Sequence, residues 1–176
     1  MNDSGTTSQA VPVPGTYRID QNQSEVRYSG KHMFGLGTVH ATFRIEQGQI
    51  EVADPLESSS ATVVVDAASF RSDSARRDKD VRSAGLLDVG NHPKIIFVTH
   101  ELRGSGDGWL AIGTLTVHGR TLPVQVLFDV VQQEGNGIRV HGRADHLDRT
   151  AFGITGSRGF AGRYLDIDLD VLAVAV

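Results

Sequence analysis

Apolar and polar residues alternate along most of this chain, and this pattern constrains the fold more than any other feature of the sequence. A period of two residues places successive side chains on opposite faces of a β-strand, so each alternating segment is predicted to be a strand with one dry and one solvated face. The fold class predicted from this pattern is all-β. The alternating segments are residues 25–29, 39–46, 49–52, 61–66, 94–102, 109–117, 121–131, 138–146 and 163–174.

Short connections that contain glycine join many of these segments. They include residues 103–108, 118–120 and 134–137, and the pair Asn136-Gly137 is a strong signal for a tight hairpin turn. A further turn is predicted at Gln47-Gly48. Short turns make neighbouring strands antiparallel, and about eight such strands must close or stack because a long open sheet leaves unpaired edges. We expect an eight-stranded antiparallel up-and-down barrel, with a β-sandwich as the alternative.

One charged stretch, residues 76–93, interrupts the alternation with the sequence RRDKDVRSAGLLDVGNHP. A helix is predicted over Ser72–Gly85, because Asp73 or Ser74 can cap its N-terminus and a glycine can end it. About three helical turns are long enough to cover one end of a barrel but not to form a second layer. The sequence therefore predicts a short helical insert between two strands.

The length of the chain predicts a single domain. The chain has 176 residues and no cysteine, and the absence of cysteine excludes disulfides. Its formal net charge of −4 argues against nucleic acid as the main partner. Residues 1–15 are polar and lack the regions of a secretory signal, so we expect a flexible arm followed by one domain at residues 16–176. No apolar run reaches the roughly 18 residues of a membrane-spanning helix. We expect a cytoplasmic protein without stable membrane insertion.

The predicted inward faces combine small and large side chains. Gly113, Gly142 and Ala144 would leave space inside, whereas residues 122–128 and 165–171 carry larger apolar side chains. A barrel of about eight strands is either filled by its own side chains or holds one small ligand, and the pattern leaves both alternatives open. Because the polar residues take the outward positions, any cavity is predicted to be apolar.

The sequence contains no local motif for catalysis or metal binding. Its seven histidines show no short ligand spacing such as H-x-x-x-H, and surface or rim positions explain them better than a metal site. Ser157 lies in TGSRG rather than in the G-x-S-x-G elbow of hydrolases. No catalytic residue, metal ligand or cofactor is predicted.

Two glycine-containing connections each carry an aromatic residue and a cation. Residues 31–37 contain Phe34, and residues 148–156 contain Arg149 and Phe152. Such connections either frame the mouth of a barrel or pack as ordinary loops against its end.

Five stretches, in order and at compatible spacing, resemble a known family. They are YRIDQNQSEV at 17–26, KHMFG at 31–35, the run from VDAASF at 65–70 to HPKIIF at 92–97, GTLTVHG at 113–119 and DRTAFGI at 148–154. Together they resemble the YceI-like family, whose members are lipocalin-like proteins associated with binding polyisoprenoids and isoprenoid quinones. The resemblance runs from about Tyr17 to Val174.

The resemblance implies an extended, lipocalin-like, eight-stranded barrel with the helical insert near its open end. It also implies a binding protein rather than an enzyme, which holds a polyisoprenoid, an isoprenoid quinone or a related lipid in its lumen for transport, storage or sensing. Family members often pair, which allows a homodimer. The residues expected to line the lumen are Phe34, Val39, Phe43, Val63, Phe97, Leu115, Val117, Val126, Phe128, Val140, Phe152 and Ile167. The residues expected near a ligand head group at the mouth are His32, Arg77 and Arg149.

Two other functions stay open at this level. An enzyme would use a rim histidine, such as His32 or His146, with a carboxylate on a lipid-like or small acyl substrate. A barrel filled by its own side chains would instead act as a stress-linked interaction module without a ligand. A full lumen would favour the module, and a lumen with free space would favour ligand binding.

Overall fold

The computed structural model describes residues 11–106, 108–157 and 161–176, and these residues form nine β-strands. One α-helix, α1, spans Ala75–Arg82, and short 3-10 helices occupy Gln21–Gln23, Leu56–Ser58 and Arg149–Phe152. Most of the predicted N-terminal arm, residues 1–10, lies outside the described residues. The strands are β1 Gly15–Ile19, β2 Glu25–His32, β3 Gly37–Val52, β4 Ser60–Arg71, β5 Lys94–Ser105, β6 Gly108–Val117, β7 Arg120–Glu134, β8 Gly137–Asp148 and β9 Ala161–Ala175.

The sheet closes into an antiparallel eight-stranded barrel. Each strand from β2 to β9 pairs with the next along the chain, and β9 returns to pair with β2, where Ile167 lies opposite Tyr28. This closure confirms the predicted barrel and excludes the alternative, a β-sandwich. The two faces of every strand are therefore an inside and an outside.

The first two strands together occupy one position in the barrel. β1 pairs with β3 and with the end of β9, where Arg18 lies opposite Val174, and β2 pairs with the same two strands further along. At the interruption, the amide of Asp20 donates to the Leu172 carbonyl at 2.8 Å, and the Leu172 amide donates to Ser24 Oγ at 3.0 Å. Side-chain and main-chain groups at the break thus replace ladder hydrogen bonds that a continuous strand would make.

Antiparallel order places four connections at one end of the barrel, which we call the mouth. These are the β2–β3 turn, the β4–β5 insert that contains α1, the β6–β7 turn and the β8–β9 connection. The opposite end holds the β3–β4, β5–β6 and β7–β8 connections and β1. The longest connections therefore gather at the mouth.

Inward-facing side chains from both halves of the sheet form the core. Ile45, Ile138 and Ala173 are fully buried, and a second cluster joins Ala111 to Ala144 across β6, β7 and β8. Burying one such isoleucine contributes about 1.5–3 kcal/mol, so these contacts dominate the stability of the barrel wall. The alternation of the sequence decides which residues take part.

α1 begins and ends at local capping groups. Ser74 Oγ accepts from the Arg77 amide at the N-terminus, and buried Asp78 accepts from the amide and hydroxyl of Ser72 at 2.8 and 2.6 Å. The helix ends at Arg82 because Ser83 is extended and its amide donates back to the Asp80 carbonyl. It is therefore eight residues long and shorter than the predicted helix.

The predicted turn at Gln47-Gly48 is wrong. β3 continues through this position to Val52, and only its register against β4 shifts between Ile45 and Gln47. Gly48 lies against Ile19 of β1, where an added Cβ would come within 2.3 Å of Ile19 Cδ1. The glycine accommodates close packing between strands rather than a chain reversal.

No helix within the described ranges combines the length and the hydropathy needed to span a bilayer.

Candidate functional site: an apolar cavity inside the barrel

The barrel encloses a cavity of about 210 Å³ behind the mouth, which we call the mouth compartment. A second cavity of about 110 Å³, the deep compartment, lies towards the opposite end. Val63, Phe97, Leu169 and Val171 line both, so the two compartments adjoin. One water molecule needs roughly 10–15 Å³ by this kind of measure, so the lumen has room for a far larger molecule.

The walls of the mouth compartment are hydrocarbon with two polar exceptions. Every described residue that lines it is aliphatic or aromatic except Arg149, and Tyr28 adds one hydroxyl group to the wall. The inward positions of the eight strands from β2 to β9 supply most of this surface, because alternation directs the charged residues of the same strands to the outside. The compartment thus favours an apolar occupant.

Most of the lining residues expected from the sequence lie on these walls. Phe128 and Val140 line the deep compartment. Contact of any of these residues with a ligand stays a prediction. Those on the wall of the mouth compartment are Phe43, Val63, Phe97, Leu115, Val117, Val126, Phe152 and Ile167.

Four of the expected residues lie away from both compartments: Phe34, His32, Val39 and Arg77, which is described below. Phe34 is 77% exposed, because positive φ angles at Met33 and Phe34 make a tight β2–β3 turn that projects its side chain outward. His32 is half-exposed on the same hairpin. Val39 is buried on β3 but is not part of either wall. Periodicity gave no information on the direction of side chains in the turn.

The insert closes part of the mouth with apolar residues. Val81 from α1 and Leu86 and Leu87 from the segment after it line the mouth compartment. The Leu87 amide donates to the Val81 carbonyl at 2.8 Å, which holds this segment against the helix. Sequence reasoning did not include these three residues, although apolar residues within so charged a stretch were the available signal.

Tyr28 was not among the lining residues expected from the sequence. Its hydroxyl is one of the two polar groups of the wall. Its ring packs edge-on against Phe70 at 5.6 Å, and its hydroxyl lies over Gly30, where an added Cβ would approach Tyr28 Oη to 2.3 Å. No described residue forms a hydrogen bond with this hydroxyl. Burial raises the pKa of Tyr28 above its usual range, and the positive charges of Arg149 and Arg77 act in the opposite direction.

Arg149 holds the β8–β9 connection together. Its buried guanidinium donates to the carbonyl oxygens of Ile154, Gly156, Ala161 and Gly162 at 2.8–2.9 Å. The side chain therefore orders the chain around the mouth in addition to lining the cavity. Arg77 lies half-buried on α1 and donates to Ser72 Oγ and Asp73 Oδ1, outside the cavity wall.

A family model for the YceI-like domain matches residues 17–173, almost the whole chain. The chain belongs to the YceI-like domain family. Among curated relatives, a UPF0312 protein of Pseudomonas putida is 32% identical over 176 residues, which cover 95% of this chain and 90% of that protein. A UPF0312 protein of Yersinia pestis is 28% identical over 172 residues, which cover 93% and 88%.

Solved structures share the fold of this YceI-like domain. BcnA of Burkholderia cenocepacia superposes with a TM-score of 0.80 at 21% identity, over 89% of this chain and 99% of that one. A domain from Saccharophagus degradans, described as a polyisoprenoid binding domain implicated in plant cell wall breakdown, superposes with a TM-score of 0.66 at 12% identity, over 93% and 100%. At these identities the similarity shows a common barrel.

Proposed function

We propose that this YceI-like domain binds a long apolar ligand inside its barrel, of the class of polyisoprenoids, isoprenoid quinones and related lipids. The observation that carries the proposal is the pair of adjoining compartments with hydrocarbon walls. The Saccharophagus degradans domain described as polyisoprenoid-binding supports the same ligand class through its shared fold.

The shape of the lumen favours a chain over a compact ring. Strands of about ten residues at ~3.3 Å per residue, tilted by ~40°, give a lumen on the order of 25 Å long. Each buried CH₂ contributes about 0.8 kcal/mol, so a long tail gains affinity from the walls without polar contacts. The bound lipid would then be carried, stored or sensed.

Polar selection would take place at the mouth. Tyr28 offers a hydroxyl inside the cavity, and Arg149 and Arg77 place positive charge near it. A hydroxyl, carbonyl or anionic head group fits this environment better than a cationic one. The tail would lie deeper, along Val63, Phe97 and Leu169.

The proposal includes no catalytic step. His32 and His146 do not line either compartment, and the ring of His146 stacks on Tyr164 at 3.8 Å between centroids. An enzyme acting on a bound lipid would need a reactive side chain that faces the lumen.

The test is native mass spectrometry of the purified domain, followed by organic extraction and identification of the released molecules. We expect a bound mass whose fragments are those of a polyprenyl chain or another long lipid. A ligand-free mass that stays unchanged after incubation with polyprenol and quinone would overturn the proposal.

A pair of substitutions on β4 tests whether the ligand binds in the lumen. Val63→Phe adds bulk where the compartments adjoin, so it is expected to reduce binding of long-tailed ligands. Thr62→Phe makes a comparable change on the exposed outer face of the same strand and is expected to bind as the wild type does. Equal binding by the two variants would show that the ligand lies elsewhere.

A further inference from the structure

Three potential metal-ligating side chains meet at the mouth, outside the apolar cavity. Asp88 and His92 lie in the segment between α1 and β5, and His118 lies in the β6–β7 turn. One ligand atom from each lies within 4.8 Å of the others. The two imidazole rings are 4.7 Å apart between centroids and inclined at 57°. All three side chains are half-buried, so an ion could reach them from solvent.

Hydrogen bonds around the cluster orient two of the three side chains. His118 Nδ1 lies 3.3 Å from the Phe152 carbonyl oxygen, to which it can only donate, and this leaves Nε2 with a free lone pair. Asn91 Nδ2 donates to both carboxylate oxygens of Asp88 at 3.2 and 3.0 Å. Partners of this kind fix the tautomer and direction of ligands in metal sites.

The backbone at the cluster adopts conformations that most residues avoid. Asp88 and His118 have φ angles of 49° and 54°, in the left-handed region. Gly119, at φ 73°, lies so close to His92 that an added Cβ would be 2.9 Å from the ring atom Cε1. Non-glycine residues with positive φ are uncommon and concentrate at functional sites and ligand clamps. Here they bring the side chains of two separate segments together.

We propose that Asp88, His92 and His118 bind a divalent first-row transition-metal ion of the Zn²⁺ type. Two imidazole nitrogens and one carboxylate oxygen suit Zn²⁺, Co²⁺, Ni²⁺ or Cu²⁺, whereas Ca²⁺ and Mg²⁺ prefer oxygen ligands throughout. Two ligands on a tetrahedral Zn²⁺ lie about 3.3 Å apart, so binding needs small side-chain rotations from the present separation. Water would complete the coordination sphere.

Such an ion would fasten the insert to the rim of the barrel. Asp88 and His92 lie in the segment that continues from Leu86 and Leu87, which cover the cavity. His118 belongs to the β6–β7 turn of the barrel, beside the start of β5. His118 also contacts the Phe152 carbonyl of the β8–β9 connection. Three of the four mouth connections would thus be linked through one site.

The experiment titrates Zn²⁺, and separately Co²⁺, into the tag-free, chelator-treated wild-type domain by calorimetry and visible absorption. We expect one ion per chain and a Co²⁺ spectrum with nitrogen and oxygen ligation. Loss of an outer-shell partner alone typically costs about 10–100-fold in metal affinity. Asp88→Asn and His118→Gln each replace a ligand and are therefore expected to weaken Zn²⁺ binding by at least about tenfold. His100→Gln, an exposed histidine on β5 outside the cluster, is the matched control and should bind normally.

The same question can be answered on the wild type alone, in case a variant does not fold. In a ¹⁵N-resolved NMR spectrum of the seven imidazole rings, Zn²⁺ should shift His92 and His118 only. Shifts at other histidines, or binding that persists in folded Asp88→Asn and His118→Gln proteins, would overturn the proposal. So would the absence of binding by both Zn²⁺ and Co²⁺.

Discussion

Tyr28 is the residue at which the hydrocarbon lining gives way to a hydrogen-bonding group. Its ring belongs to the aromatic packing with Phe70, whereas its hydroxyl has no described hydrogen-bond partner and faces the mouth compartment. Because Tyr28 lines the cavity, its hydroxyl can form a hydrogen bond with a ligand oxygen at this point. The residue therefore connects the architecture of the wall to selection of a head group.

Tyr28→Phe tests this role because it retains the ring and removes only the oxygen. A neutral hydrogen bond contributes about 0.5–1.5 kcal/mol, so the variant should bind prenols or quinones up to about tenfold more weakly. It should bind the corresponding hydrocarbons as the wild type does. Calorimetry with matched ligands of equal tail length measures the difference, and equal losses for both classes would point to altered packing instead.

His141 is predicted to make stability depend on pH from the outer face of β8. Its hydrogen bond to Asp129, 2.6 Å long, raises the pKa of His141 above its ordinary value, partial burial opposes this, and the charge of Asp168 adds to it. The folded state thus favours the protonated ring. The stabilisation is complete below the ordinary histidine pKa of about 6.5 and is lost as pH rises through the raised pKa of the folded state.

Urea unfolding from about pH 6 to pH 9 measures this dependence. The midpoint of the wild type should fall across the range, and His141→Gln should flatten the decline. His40→Gln is the control, because the His40 ring lies against the Ser29 hydroxyl and forms no ion pair with a carboxylate among the described residues. A decline that is identical in all three proteins would contradict the assignment to His141.

Among the elements, the interrupted strand formed by β1 and β2 is joined to β9 at its break partly by one hydroxyl group. Ser24 Oγ accepts from the Leu172 amide at 3.0 Å and lies 3.3 Å from the Leu172 carbonyl, to which it donates. Ser24→Ala leaves the Leu172 amide without its acceptor, whereas the Leu172 carbonyl still accepts from the Asp20 amide. The unsatisfied amide should lower the free energy of unfolding by about 1–3 kcal/mol. Ser105→Ala, at an exposed strand end, should change it little. Equal midpoints in denaturant titrations would show that water replaces the hydroxyl.

The sequence predicted most elements because alternation is a local property. The strand segments, the hairpin turns and the helical insert all follow from residues within a few positions of one another. The error at Gly48 lies where a distant residue decides. Gly48 was predicted to lie in a turn because its packing partner, Ile19, lies on a different strand. The error in the length of α1 is instead local, because Ser83 is extended and ends the helix at Arg82.

The residues of the cavity walls could be predicted from the sequence, whereas the arrangement of residues at the mouth could not. Alternation alone directs residues such as Val126 and Ile167 inward, and both line the cavity. The exposure of Phe34 and the meeting of His92 with His118 depend on backbone angles in turns, which periodicity does not address. Whether the lumen is filled also depends on how strands stagger around the barrel, a property of the whole sheet.

At the scale of the whole molecule, the length of the lumen should limit the length of the ligand. We expect affinity for linear prenols to increase with chain length by about 0.8 kcal/mol per buried CH₂, up to a tail of about the length of the lumen, and then to stop increasing. Calorimetry with a homologous series gives the position of this plateau. In Val63→Phe the plateau should occur at shorter chains. Affinity that increases without limit would indicate binding outside the barrel.

The closure of β9 on β1 and β2 also bears on how the protein is made. Ser24 and Leu172, whose groups bond at the seam, are 148 positions apart, so the early strands leave the ribosome long before their partners exist. At about 5–20 residues per second, the sheet stays unclosed for roughly 7–30 s. During that time its inner face is an exposed apolar trough, and a chaperone or a lipid that covers it would protect each newly made chain from aggregation.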